Sequence, residues 1–337
     1  MDEMSKSQLA KEYLCSGINL FLSGEYAQSE ERLKEVLSLD SESALAYCYL
    51  GIICLETGRA EEALKWCSLG LESDPSDSYL RYCYGVALDR NNRLGEAVEQ
   101  YHLYIDLHPE DSECWFSLGS AYHKLKDYEK AMDCFDKILA VDPWNPQSLY
   151  NKAVILSDMD KEEEAIMVLE TTVKKNPLYW KGWIKLGYLL SKGKEWLRAA
   201  EAYERVVRLR PDLADGHYNL GLCYLTLDKT KLALKAFREA LHLNEEDADA
   251  HFYVGLSYMD LKQDRNAFDA FNKALAINLD HERAHYLLGY LYHMKGDAEK
   301  ALKELAFLSS KESQFAPLLE KAVVTGSFPL PLGKKVL

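Results

Sequence analysis

No stretch of this 337-residue chain approaches the roughly 18 consecutive apolar residues of a membrane-spanning helix. The opening MDEMSKSQLAKEYLC is charged throughout and lacks the apolar segment of a secretory leader. The eight cysteines include no Cys-x2-Cys pair and no spacing of a disulfide framework. Reduced thiols in a cytoplasmic protein are therefore the expectation, with Cys54 and Cys67 at packing positions. A glycine-rich phosphate loop, a nucleophile elbow and a Cys-His pair at meaningful spacing are also missing, so no catalytic residue or cofactor is expected. Positive charge is in short supply: 40 Lys and Arg face 54 Asp and Glu, for a net charge of −14. That balance argues against nucleic acid as the main partner. Prolines number only nine, yet five of them fall on a strict spacing.

Pro75, Pro109, Pro143, Pro177 and Pro211 recur every 34 residues. Glycine keeps the same period at Gly17, Gly51, Gly85, Gly119, Gly187, Gly221, Gly255 and Gly289, with Ala153 in the one gap. A third, small-residue series runs Ser29, Ala63, Ala97, Ala131, Ala165, Ala199, Ala233, Ala267 and Ala301. Three series sharing one period define nine contiguous units: 10–43, 44–77, 78–111, 112–145, 146–179, 180–213, 214–247, 248–281 and 282–315.

Each unit reads as two helices. In the fourth, Trp115, Leu118, Gly119 and Tyr122 mark one face of the first, and Ala131, Phe135 and Ile138 one face of the second. Asp142-Pro143 ends it, because proline cannot continue a helix. A mid-helix glycine costs about 0.5–1 kcal/mol relative to alanine. The expected return is a close approach of two helix backbones, glycine at the eighth place opposite alanine at the twentieth.

In WFSLGSAY followed by AMDCF and DP, and again in WIKLGYLL with AAEAY and RP, the chain resembles the tetratricopeptide repeat family. That family's signature is Trp-x2-Leu-Gly-x2-Tyr, Ala-x3-Phe and Pro. The resemblance implies an all-α, right-handed superhelical solenoid in one continuous array. Residues 1–9 would be an N-terminal extension, 316–325 a capping helix, and 326–337 a flexible, proline-containing tail. The family supplies binding modules for unrelated processes, and a fold does not fix a function.

The resemblance also implies that the first helix of each unit lines a concave groove through its places 2, 5, 9, 12 and 13. In units one and two those places are apolar: Leu14, Ile18, Phe21, Leu22, Leu45, Ile52 and Leu55. Apolar surface of that extent marks an interface, to be covered by a partner protein, a second copy or the chain's own N-terminus. An aromatic ladder follows in Tyr82, Phe116, Tyr150, Tyr218, Phe252 and Tyr286.

Unit six is basic. From Lys174 to Arg210 ten Lys and Arg face three Glu, so +7, in a chain whose remainder carries −21. Lys181, Lys185, Tyr188 and Lys192 are spaced i, i+4, i+7 and i+11, forming one stripe. Asn151 and Asn219 hold the sixth place in the units on either side. Family members that grip a peptide's terminal carboxylate do so with Lys and Asn. Asn151, Lys181 and Lys185 match three of those positions, whereas Phe116 and Ser120 stand at the other two. The expected function is a non-enzymatic scaffold that holds an extended or helical segment of another protein, with acidic groups near unit six. The alternative is a self-assembling structural protein that pairs through units one and two.

One motif points elsewhere. His281-Glu282-x-x-His285 has the spacing with which zinc hydrolases hold a metal and activate a water. Here His281 falls in a turn. His285 stands at the fourth place, which His217 and His251 occupy in the two units before it and Trp115 in the fourth. A repeated packing position is expected, without a metal.

Overall fold

The computed structural model describes residues 3–325. They form nineteen α-helices and, among the described residues, no strand: nine helix-turn-helix repeats and a final single helix. The chain divides into two compact units, Met1–Lys161 and Glu162–Leu337. The first contains α1 (Glu3–Leu22) with α2 (Tyr26–Leu39), α3 (Ala44–Glu56) with α4 (Ala60–Ser73), and α5 (Ser78–Arg90) with α6 (Leu94–Ile105). It continues with α7 (Ser112–Lys124), α8 (Tyr128–Val141) and α9 (Pro146–Asp158). The second starts at α10 (Glu162–Lys175), followed by α11 (Trp180–Lys192), α12 (Trp196–Leu209), α13 (Ala214–Thr226) and α14 (Thr230–Leu243). It ends with α15 (Ala248–Asp260), α16 (Asp264–Ile277), α17 (Glu282–Met294), α18 (Ala298–Ser310) and α19 (Ala316–Thr325). Within each unit, the second helix of a pair packs on its own partner and on the first helix of the next pair.

From Glu3 onward the expected N-terminal extension is simply the start of α1, since no proline or glycine interrupts it before Gly17. The expected tail, 326–337, lies outside the described residues.

The turn inside each repeat has one solution. Two residues past the end of each first helix stands a residue with φ between +59° and +81°: Gly24, Gly58, Asn92, Lys126, Asp160, Lys194, Asp228, Lys262 and Gly296. In the fourth repeat the Lys126 N–H donates to the His123 carbonyl and the Asp127 N–H to the Tyr122 carbonyl, each at 2.9 Å. This is the left-handed closure that satisfies the orphan carbonyls at a helix end. Six of the nine positions hold a side chain where glycine is at ease.

At four places in the glycine series the space is taken by an aromatic ring. A Cβ on Gly255 would sit 2.5 Å from the Phe271 ring, on Gly221 2.7 Å from Phe237, on Gly85 2.8 Å from Tyr101, and on Gly187 2.9 Å from Tyr203. In these four the neighbour is the side chain at place 24 of the same repeat. Glycine makes room for a ring of the second helix. Phe237 and Phe271 are fully buried there, and Tyr101 and Tyr203 nearly so. The alanine series is itself fully buried from Ala63 to Ala301.

Candidate functional site

The basic stripe lies on α11. Trp180 opens the helix, and the Lys181 ammonium sits 5.7 Å from its ring centroid, with the Arg210 guanidinium over the same ring at 4.9 Å. One and two turns on, Lys185 lies 5.4 Å from the ring of Tyr188, which is 53 % exposed. A cation over an aromatic face is held by the ring's quadrupole. Lys192 differs. Its ammonium is paired with the Glu162 carboxylate of α10, so much of its charge is already balanced. The Asn219 amide donates to the Asp215 carbonyl on its own helix at 2.8 Å. In the other compact unit, Asn151 bonds to the Gln147 carbonyl in the same way at 2.8 Å.

The aromatic ladder is only partly open. Tyr82 is half-buried against Tyr104 at 5.2 Å, and its hydroxyl lies 3.3 Å from Ser117 Oγ; burial pushes its phenol well above the usual range. Phe116 packs edge-on to Phe135 at 5.6 Å, and Tyr218 edge-on to Phe237 at 5.8 Å. Tyr150 is half-buried, and burial raises its phenol too.

Phe252 and Tyr286, expected in the groove, belong to the core, at 1 % and 6 % exposure. His281 stacks on Phe252 at 5.0 Å and Phe315 on Tyr286 at 5.5 Å, so each ring is covered by the turn that follows its repeat. In the first two repeats, Leu22 and Leu45 are 73 % and 46 % exposed, while Leu14, Ile18, Phe21 and Ile52 are half-buried. Leu55 is core, at 5 %. The apolar floor is thus narrower than the sequence suggests.

The paired histidines converge on nothing. His281 caps α17: its Nδ1 accepts from the Ala284 N–H at 3.2 Å, and its Nε2 lies 3.2 Å from the Asp249 carboxylate. His285 Nε2 lies 2.9 Å from the Leu279 carbonyl and Nδ1 2.5 Å from Glu304. All four ring nitrogens are engaged. Among the described residues, no group of three His, Cys, Asp or Glu side chains is placed to hold a metal.

The place-4 register explains the pattern. The ring nitrogens of Trp115, Trp183, His217, His251 and His285 each meet the carbonyl six residues back, at 2.8–3.0 Å. The ring pins the turn that enters its repeat. The cysteines fit the same structural picture: seven of the eight thiols are buried and all are free, and burial pushes Cys54 and Cys67 up.

No helix among the described residues is long and apolar enough to cross a membrane. Three family models, each described as tetratricopeptide repeat, match residues 20–82, 112–145, 150–214 and 214–247, together more than half of the chain. A human protein O-mannosyl-transferase, TMTC1, is 26 % identical over 186 residues, covering 54 % of this chain and 21 % of its own length. Anaphase-promoting complex subunit 3 of Dictyostelium discoideum is 25 % identical over 133 residues, 38 % of this chain and 14 % of its own. The chain thus spans only a small share of either relative. The crystal structure of a tetratricopeptide repeat protein from Parabacteroides merdae matches with a TM-score of 0.51 at 16 % identity, over 73 % of this chain and 97 % of that one. The likeness is one of fold. With the family's signature and helical hairpins in one register and its sequence models matching more than half of the residues, the chain belongs to the tetratricopeptide repeat family.

Proposed function

We propose that this protein is a non-enzymatic protein-interaction scaffold. The face of α11 that carries Lys181, Lys185 and Tyr188 would receive acidic groups of an extended or helical segment from another protein. The observation that carries the reading is the pairing of both ammonium groups with aromatic faces on one exposed helix surface. Carboxylates are the natural complement, since charge-assisted hydrogen bonds are the strong ones. Tyr218 and Leu222 on α13 offer apolar contact nearby in the same compact unit. The family membership supports the broader role, as does a relative whose name makes it a subunit of a complex. In the proteome, wild type should retain partners that the Lys181→Glu/Lys185→Glu variant loses; identical capture by both would remove α11 from the site.

Leu22 and Leu45 favour a second reading, association between copies through the first two repeats. Light scattering separates the two. A dimer that becomes a monomer in Leu22→Glu/Leu45→Glu supports self-association, and a monomer throughout excludes it.

A further inference from the structure

The positive charge of residues 174–210 is not gathered on one face. Lys181, Lys185 and Lys192 share one side of α11, whereas Trp183, Leu186 and Leu190 lie about half a turn round the same helix. These three line a cleft of about 460 Å³ between α10, α11 and α12. That volume falls within the roughly 300–1,000 Å³ of ligand-binding clefts. Val173 and Ala202 complete its apolar floor, and Lys174, Arg198 and Arg205 stand round it.

The cleft is a choice of this sequence rather than a property of the repeat. Ala202, at place 23, lines it; the earlier repeats put the larger Arg32, Trp66, Gln100, Cys134 and Val168 there. Repeats six, seven and eight carry alanine. In repeat eight, with Ala270, a smaller cleft of about 220 Å³ opens at the same register, edged by His251, Arg238 and Lys273. In repeat nine Glu304 takes the place and pairs with His285. The wall of the larger cleft is prebuilt, because the Trp183 indole N–H is tied to the Pro177 carbonyl at 2.9 Å.

The rim's charges set what fits. Arg198 is taken up by Glu170 and Glu195. Lys174 and Arg205 are exposed and, among the described residues, form no ion pair, with Glu201 the remaining carboxylate at the rim. An apolar floor edged by three cations (Lys174, Arg198 and Arg205) and two carboxylates (Glu170 and Glu201), on a chain of net charge −14, selects an apolar side chain carried between carboxylates.

We propose that this cleft is a second protein-binding site, which takes a bulky apolar side chain from an acidic segment of another protein. It is separate from the Lys181–Lys185 face and stands or falls independently of it. The probe is a fluorescein-labelled peptide, Asp-Glu-Phe-Leu-Glu-Asp with a C-terminal amide, so that no terminal carboxylate seeks the other lysines. Fluorescence anisotropy should show binding to wild type. Ala202→Leu, which fills the floor, should weaken it about tenfold. Lys174→Glu/Arg205→Glu, on exposed positions that leave the core intact, should weaken it at least about fivefold and flatten its salt dependence. Lys181→Glu/Lys185→Glu should leave it unchanged. Circular dichroism checks that the Ala202→Leu chain is folded; if it is not, the rim variant decides. No binding by wild type, no loss in the rim variant, equal binding of an Asn-Gln-Phe-Leu-Gln-Asn peptide, or loss through Lys181 and Lys185 instead would each overturn the proposal.

Discussion

His285 Nδ1 lies 2.5 Å from the Glu304 carboxylate, across the two helices of the last repeat, with the imidazole stacked on Phe307 at 3.8 Å. One repeat earlier, His251 holds the same register but faces Ala270 where Glu304 would be. The two histidines are therefore shifted in opposite directions from their ordinary value. Burial alone would lower His285, but the Glu304 carboxylate and the Leu279 carbonyl outweigh it and raise the imidazole above its ordinary 6.5. Burial lowers His251, the Lys273 charge adds to that, and the Glu245 carbonyl opposes it only in part.

The sign of each effect on stability follows. His285 binds its proton more tightly folded than unfolded, so its contribution is fully present below pH 6.5 and is lost as pH rises through the raised folded value. Glu304→Gln should lower stability by about 1.5–3 kcal/mol at pH 5.5, the scale of a hydrogen bond to a charged group, with a smaller deficit at pH 8. For His251 the stability present above pH 6.5 is lost as pH falls, so His251→Asn should lessen the acid loss. Urea titrations at the two pH values check both.

Glycines in this chain should respond in opposite ways. Gly255→Ala drives a Cβ to 2.5 Å from Phe271 and should cost about 1–3 kcal/mol, as overpacking does. Gly95, inside α6, meets nothing within 4 Å, so Gly95→Ala should stabilise by about 0.5–1 kcal/mol. Urea midpoints of the two variants, measured side by side, decide.

The turn residues give a third test. Lys126 holds φ +62° on an exposed turn. Lys126→Gly removes left-handed strain of about 1–2 kcal/mol but frees the unfolded chain by about 0.4–1 kcal/mol. A small net gain in thermal midpoint is expected; a loss would mean that the lysine is not strained there.

Period and hairpin were legible because three residue series keep one spacing, and spacing is what a sequence displays. What fills the space is not. Gly255 and Ala267 are twelve residues apart as the small-residue series require, yet the atom that excludes a Cβ belongs to Phe271. Phe252 and Tyr286 sit on the expected helix faces, but His281 and Phe315 arrive from the following turns and bury them. Lys126 and Lys194 carry no mark of left-handed backbone, because only glycine advertises it. The Lys192–Glu162 pair joins residues thirty positions apart, on two helices, and no helical stripe reveals it.

The most direct measurement is isothermal calorimetry of a captured partner against wild type and Lys181→Glu/Lys185→Glu, at low and at physiological salt. If acidic groups meet these lysines, affinity falls by about tenfold or more in the variant and its salt dependence shrinks. Equal affinities and equal salt slopes for the two proteins would contradict the account.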